Sequence, residues 1–362
     1  MGCGQVDVIH PDELGAAEIA LWHKMQSTTP SLTNPFLSPE FAIAVGRYRP
    51  GARVAVLSDG SGPVGFFPFE RRRLGVGLPI SGWLSACQGV VCWPGIQWST
   101  QELLRGCGLS AWRFDNLLAG QKPFEAHHSA VVPSPVIKLT DGYRAKLRAS
   151  APHMCRELDR KSRKLSREFS PLRLVGDSSD RAMLRLLMSW KSEQYRRTQH
   201  VDRFAKPWVG QLFEELHALR TDALSGMLSV LYAGDRPISI QFGLRTQDLL
   251  VGWFTGYDVQ FRKYSPGMIQ VMALADELPA HGVREVHVGK GAARFTRALK
   301  NSDILLAEGT ATTGTLMGRM HHLHSATMCW ALRTVREHNG LHSTADLLLR
   351  RSRLSGFTYG RI

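Results

Sequence analysis

The chain has 362 residues, 43% hydrophobic and 21% charged, enough for two ordinary domains or one large one and too apolar for an intrinsically disordered protein. No apolar run approaches the roughly 18 residues of a membrane helix, and the opening MGCGQVDVIHPDEL lacks a basic stretch followed by an apolar one, so neither a membrane span nor a secretory signal is expected. The net charge of +14 is uneven: residues 143–174 hold ten Lys/Arg against three Asp/Glu, and 316–362 hold seven against two, which predicts attraction for nucleic acid, membrane phosphates or phosphorylated cofactors and sugars.

The first predicted elements are a hairpin, ARVAVLS (52–58) and VGFFPFERR (64–72) around a DGSGP turn. Next comes YRAKLRASAPHMCRELDRKSRKLSREF (143–169), read as exposed helix with charges all round, interrupted near Pro152. In AMLRLLMSWKSEQYRRT (182–198), Met183, Leu186, Leu187, Trp190 and Gln194 share one helical face, with Lys191, Gln194, Tyr195 and Thr198 as a neighbouring polar stripe. A second hairpin follows, MLSVLYA (227–233) and ISIQFGLR (238–245) around GDRP, and then a third apolar run, LLVGWFTGY (249–257). The two hairpins suggest a weak internal repeat. Residues 316–350 read as two helices broken at Asn339-Gly340. The expected organisation is an N-terminal unit over 1–142, a basic helical connector over 143–180, a C-terminal unit over 181–315 and a helical extension over 316–362.

The six cysteines, at 3, 87, 92, 107, 155 and 329, form no C-x-x-C pair, which fits reduced thiols in a cytoplasmic protein. His127–His128 and His321–His322…His324 lack Cys or carboxylate partners at ligand spacing, so no metal is expected. Gly2 suggests myristoylation, but Val6 stands where that motif needs Ser or Thr.

The stretch FRKYSPG (261–267) lies between the third apolar run and the helical pattern MIQVMALADEL (268–278). Ser265 suits an N-cap and Pro266 the first helical position. Gly267 lets its N–H approach a ligand, at a helix start that offers free donors and partial positive charge. Arg262 and Lys263 add full charges. Arg262, Lys263, Tyr264, Ser265, Gly267 and Met268 thus make a candidate pyrophosphate cradle; the plainer reading is a capped helix.

Three antiparallel strands, a phosphate-type loop, a helix and a further strand, REVHVG (284–289), follow the order of the GNAT acetyltransferase core. SPVIKL (134–139), RKSRKLSRE (160–168), WKSEQYRRT (190–198), FAKPW (204–208), LSVLYAGDRPIS (228–239), WFTGYD (253–258), YSPG (264–267) and VGKGAARFTRALK (288–300) resemble the CelD-type branch of GNAT acyltransferases, associated with cellulose or exopolysaccharide production. NPFLSPEFAIAV (34–45), VGFFPFERR and CQGVV (87–91) fit as well, so that the resemblance spans roughly residues 20 to 310. That branch is similar in fold to the FemAB-like enzymes, which carry two GNAT units in one chain.

The resemblance implies an α+β fold of two GNAT-like units, with mixed sheets flanked by helices. It implies acyl transfer from acetyl-coenzyme A or another acyl-coenzyme A to an amine or hydroxyl of a small-molecule or saccharide acceptor, possible work beside polysaccharide-synthesis machinery, and no metal. The amides of Trp253, Phe254 and Thr255 would serve as oxyanion and pantetheine contacts. Asp258 is a candidate base or a turn former. Tyr195 and Lys191 are candidates to orient the acceptor, and Gln194, Arg196 and Arg197 to bind it, or else they form a solvated helix face.

The sequence departs from the family pattern after the fifth strand: His287 replaces an Asp, and Thr296 rather than Lys follows Phe295. His287 is a candidate base or a packed strand histidine, and the missing lysine's role could pass to Lys290, Arg297 or Lys300. Two other readings stand beside the transferase. One is a silent accessory protein. The other is a nucleic-acid binder using the stripe Arg156, Arg160, Arg163, Lys164 and Arg167, which the lack of stacking aromatics and recognition motifs disfavours.

Overall fold

The computed structural model describes residues 4–290 and 298–314. The expected helices over 316–350, the His321–His322…His324 cluster, Cys3, Cys329, Phe295, Thr296 and Arg297 lie outside the described residues. In chain order the elements are β1 (Gln5–Ile9), α1 (Ala16–Thr28), α2 (Pro39–Tyr48), β2 (Ala52–Asp59), β3 (Gly62–Arg71), β4 (Val76–Pro79), β5 (Val91–Cys92), α3 (Thr100–Gly106), β6 (Ala111–Leu118) and β7 (His128–Lys138). Then come α4 (Tyr143–Ser150), α5 (Pro152–Glu168), β8 (Leu172–Val175), α6 (Arg181–Arg197), α7 (Pro207–Ala218), β9 (Ser225–Ala233), β10 (Arg236–Arg245), β11 (Leu249–Tyr257), α8 (Pro266–Glu277), β12 (Glu285–His287) and β13 (Ser302–Thr312).

The chain forms two compact units. Within the described residues the first takes in 4–32, 45–132 and 305–314, and the second 33–44, 133–290 and 298–304. The first unit's sheet runs β1–β2–β3–β4–β6–β13, with β5 also on β3; every pair is antiparallel except β4–β6. The expected hairpin is β2–β3, its turn held by the Asp59 carboxylate accepting from the Ser61 N–H at 2.8 Å. Phe67, Trp112 and Phe124 interlock at the core, with ring centroids 4.9 and 5.1 Å apart for Phe67–Trp112 and Trp112–Phe124.

The second unit's sheet runs β8–β9–β10–β11–β12–β7, antiparallel except for β11–β12. The β9–β10 hairpin turns at Gly234, whose φ of +61° is open to glycine at little cost. Both sheets therefore use one order of elements: three antiparallel strands, a helix, and a strand parallel to the third. The last strands are exchanged. β7 follows β6 in sequence but pairs through Val136–Lys138 with β12, whereas β13 follows β12 and pairs with β6. The fold is α+β with mixed sheets and flanking helices.

The second sheet is covered on both faces. Leu250 and Val286 pack with Met268 and Met272 of α8. On the other face Phe242 and Phe254 meet Phe213 of α7, with centroids 5.3 and 5.2 Å away. Gly256 lets α6 lie close to β11, since a Cβ there would stand 2.9 Å from Leu187 Cδ1. The stretch 143–169 is two helices, and α5 is not polar all round: Cys155, Leu158 and Leu165 are buried. Its charges occupy the remaining arc, where Arg156, Arg160, Arg163, Lys164 and Arg167 are exposed. The α6 face that packs is Leu184, Leu187, Lys191 and Tyr195, rotated from the expected one.

Candidate active site

β11 and β12 pair at only three positions, Leu249–Glu285, Leu250–Val286 and Val251–His287, after which β11 continues to Tyr257. Just past the last pair the β10–β11 register steps from Gly243–Gly252 to Phe242–Phe254, so Trp253 is an inserted, bulged residue. Such bulges bend a strand and re-aim its groups, and they recur at functional sites. Two buried polar atoms flank the divergence without a hydrogen-bond partner among the described residues, Gln241 Oε1 and His287 Nδ1. A Cβ on Gly252 would lie 2.9 Å from Gln241 Nε2 and 3.6 Å from the His287 carbonyl, so both groups border this glycine. Unpaired buried polar atoms are costly unless a ligand or water serves them.

α8 starts beside this opening. Ser265 occupies the N-cap position, but in a left-handed conformation (φ 58°, ψ 54°), and its side chain makes no capping bond. Its Oγ instead accepts from Lys161 Nζ at 3.0 Å. Pro266 has no N–H, and the Met268 and Ile269 N–H groups donate to the Ser265 carbonyl at 3.0 and 3.2 Å. The Gly267 N–H has no partner among the described residues. A Cβ on Gly267 would make only ordinary contacts, 3.7 Å to Thr255 Cγ2 and 3.9 Å to Ser239 Oγ, so the protein itself leaves space there. The capped-helix reading of Ser265 does not hold. In the first unit α3 is capped conventionally, Ser99 Oγ accepting from the Glu102 N–H at 3.1 Å.

Among the other expected cofactor residues, Arg262 and Lys263 are exposed, and Lys263 Nζ stands 4.9 Å from the Tyr264 ring. Thr255 is exposed on the Gly267 side of the strand. Phe254, Tyr264 and Met268 bury their side chains, and Tyr264 donates its hydroxyl to Glu168, so only their backbone can face a ligand. Trp253 is half-buried, stacked on Phe213 at 4.6 Å and edge-on to Phe36 at 4.9 Å. Lys161 was not legible as part of this cradle. It is one cation among many on α5, and only the packing of α5 beside the Ser265 turn singles it out. Gln241 was equally hidden, as a lone polar residue in an apolar strand.

On β12, His287 Nε2 lies 3.5 Å from Glu285 Oε2, and Lys138 Nζ lies 3.5 Å from the other carboxylate oxygen. The hydrogen bond with His287, and then Lys138, hold the Glu285 carboxyl below the usual glutamate range. Lys191 is buried and donates to Gln194 Oε1 at 2.9 Å; burial, then the charge of Arg203, lower its pKa to about 8. Burial raises Tyr195 above the usual tyrosine value. Gln194, Arg197 and Asp258 come together with Trp190, Glu193 and Tyr257 around a recess of about 50 Å³. Asp258 is held as a turn cap, accepting from the Gln260 N–H at 3.0 Å and paired with Arg236 at 2.6 Å, so its carboxylate is occupied. Arg196 is exposed and bonds the Ser192 carbonyl at 3.3 Å. Lys300 pairs with Asp303 at 2.6 Å, and Lys290 follows Gly289 just beyond β12. Among the described residues no three metal-ligating side chains cluster, and no helix is long and apolar enough to cross a membrane.

Residues 153–297 match the family model described as "Acetyltransferase (GNAT) domain". No curated protein matches the chain. Similar solved structures include a tandem GNAT protein from the clavulanic acid biosynthesis pathway, 11% identical, covering 86% of this chain and 99% of its own, with a TM-score of 0.48. FemX is 10% identical, covering 75% and 90%, with a TM-score of 0.49. A conserved protein of unknown function from Bacteroides thetaiotaomicron is 8% identical, covering 80% and 97%, also at 0.49. At such identities and scores these three say nothing about substrate. The stretch that matches the acetyltransferase (GNAT) family model also carries the run of β9, β10, β11, α8 and β12, the order of strands and helix of that acyl-transferring enzyme fold.

Proposed function

We propose that the second unit transfers an acyl group, acetyl in the first instance, from acyl-coenzyme A to an amine or hydroxyl acceptor. The observation that carries this reading is the divergence of β12 from β11 beside a helix whose Gly267 N–H has no partner among the described residues. The residues fit the donor. The Gly267 N–H, Lys161 and the exposed Arg262 and Lys263 suit a pyrophosphate. The orphaned Gln241 Oε1 suits an amide N–H of pantetheine. Backbone groups at Trp253–Thr255 would polarise the thioester carbonyl.

The acceptor's nitrogen or oxygen attacks that carbonyl, the new C–N or C–O bond forms, the C–S bond breaks, and coenzyme A leaves as its thiol. His287 takes the acceptor's proton at Nδ1, with Glu285 orienting the imidazole through Nε2. For the acceptor we favour a sugar or an envelope or exopolysaccharide precursor, on the strength of the CelD-type motifs, with the protein in the cytoplasm where acyl-coenzyme A is made, beside polysaccharide-synthesis machinery. Lys290 and Lys300 border the region after β12 and are further candidates to contact it.

The test is calorimetry with acetyl-coenzyme A. Wild type is expected to bind one molecule per chain, because α3 is capped and α8 is not. Gly267→Glu places a carboxylate in the cradle and should weaken binding by about a hundredfold or more. Gly267→Ala should leave thermal stability near wild type, since its Cβ meets only ordinary contacts. Equal binding by wild type and Gly267→Glu would sink the assignment of the cradle.

A further inference from the structure

The sheet beneath the start of α8 is polar. Ser229 of β9, Gln241 of β10 and Thr255 of β11 stand directly opposite one another across the three strands, so their side chains share one face. It is the α8 face: a Cβ on Gly267 would lie 3.7 Å from Thr255 Cγ2, whereas the next residue of β10, Phe242, meets Phe213 of α7 on the other side. Ser239, two residues before Gln241, shares that face, and its Oγ would stand 3.9 Å from the same Cβ.

Against this row α8 sets Gln270, three residues after Gly267 and hence on the same side of the helix. Its side chain is completely buried. Its Oε1 accepts from the Ser239 hydroxyl at 2.6 Å, and its Nε2 donates to the Ser229 carbonyl at 2.9 Å and to Ser229 Oγ at 3.0 Å. The apolar contacts of α8 surround this network: Met268 and Met272 join Leu250 and Val286, and Ile269 joins Leu231 and Ile238. Apolar contact is non-directional and methionine adapts to many shapes, so such packing holds a helix on a sheet without fixing its last half-ångström. Hydrogen bonds to two strands do fix it. The usual device for ordering a first turn, a side-chain cap, is missing at Ser265. A buried carboxamide with two hydroxyls adds little net stability over apolar side chains of the same shape, so its distinctive product is placement.

We propose that Gln270 is a positioning residue. By tying α8 to Ser229 and Ser239 it sets where the Gly267 N–H stands beside Thr255, and with it the geometry of the donor cradle. Gln241 Oε1, in the middle of the same row, is left without a partner among the described residues. The donor's part in this rests on the transferase reading; the placement of the helix start does not.

The experiment uses the full chain with Gln270→Met, Ser229→Ala and Ser239→Ala combined, which removes the network whole and leaves none of its side chains unpaired. Urea unfolding should stay cooperative, with a midpoint near that of wild type. In calorimetry the variant should bind acetyl-coenzyme A about tenfold more weakly at unchanged stoichiometry. Partial unfolding would do the reverse, lowering the stoichiometry at an unchanged dissociation constant, and that result, like wild-type affinity, overturns the proposal. Ser239→Ala alone, the smallest of the changes, should weaken binding about threefold. It carries the same test if the combined variant does not fold, and wild-type affinity in it then overturns the proposal. Labelling with ¹⁵N-glycine reads the placement without a ligand: the Gly267 amide resonance should move in both variants, whereas that of Gly60, in the β2–β3 turn, should not. An unmoved Gly267 resonance overturns the positioning role. If wild type fails to bind acetyl-coenzyme A while Gly267 moves in the variants, the transferase reading falls and the positioning role stands.

Discussion

Lys191 shows how one buried charge weighs on stability. Its folded pKa, near 8, lies below the ordinary lysine value of 10.5. The folded state thus resists protonation that the unfolded chain accepts. Below about pH 8 both states hold the proton and the burial penalty is complete; between about 8 and 10.5 the unfolded chain binds more protons, and stability rises with pH. Lys191→Met removes the charge at similar volume, so urea unfolding at pH 7 should find it more stable than wild type by on the order of 1–3 kcal/mol. That gain should shrink by pH 10. A variant less stable than wild type at both pH values would mean that the ammonium is internally satisfied. The residue's burial was not legible because its identity argues for exposure. Met183, Leu186 and Trp190 drew the expected face of α6 to one side, whereas Leu184, Leu187, Lys191 and Tyr195 actually pack. A four-carbon stem counts as apolar surface once a helix is pressed to a sheet, and the pressing depends on Gly256, far away in sequence.

At the scale of elements, α8 and α6 begin in opposite ways. Asp180 caps α6 through the Ala182 N–H at 2.7 Å, whereas Ser265 leaves α8 without a side-chain cap. Asp180→Ala should therefore cost about 1 kcal/mol in urea unfolding, and Ser265→Ala less than about 0.5 kcal/mol. An equal loss for both would restore Ser265 as an ordinary cap and weaken the case for an available helix start. The hairpins and the strand-helix-strand order were readable because Gly234-Asp235 and Asp59-Gly60 interrupt β-branched and aromatic runs, and turn chemistry is local. The loop at FRKYSPG was readable as a helix start for the same reason. Its left-handed Ser265 was not: serine followed by proline is the pattern of a cap, and the contact with Lys161 that replaces capping spans a distance no local pattern encodes. The bulge at Trp253 was hidden too, since it exists only in the register between two strands.

The whole molecule adds the exchange of strands. The similar hairpins allowed a repeat to be suspected, but which strand pairs with which is settled by long-range hydrogen bonds. Adjacent strands are usually neighbours in a sheet, and β7 after β6 breaks that expectation by completing the second sheet through Val136–Lys138. The second unit also takes in residues 33–44, whose Phe36 and Phe41 lie 4.9 and 6.2 Å from the Trp253 ring. A fragment beginning at 143 therefore contains the whole stretch matched by the acetyltransferase family, yet lacks both the strand that borders β12 and the aromatic support of the bulge. Losing two buried aromatic contacts and a strand edge should remove several kcal/mol, comparable with the total stability of a domain. Residues 143–362 expressed alone should show no cooperative urea transition and at least about tenfold weaker acetyl-coenzyme A binding than the full chain. A fragment that unfolds cooperatively and binds at full strength would show that neither β7 nor the 33–44 segment shapes the site. Full recovery on adding a separately made 1–142 chain would instead locate the defect in those two borrowed pieces, because they are the parts of the second unit that the added chain supplies.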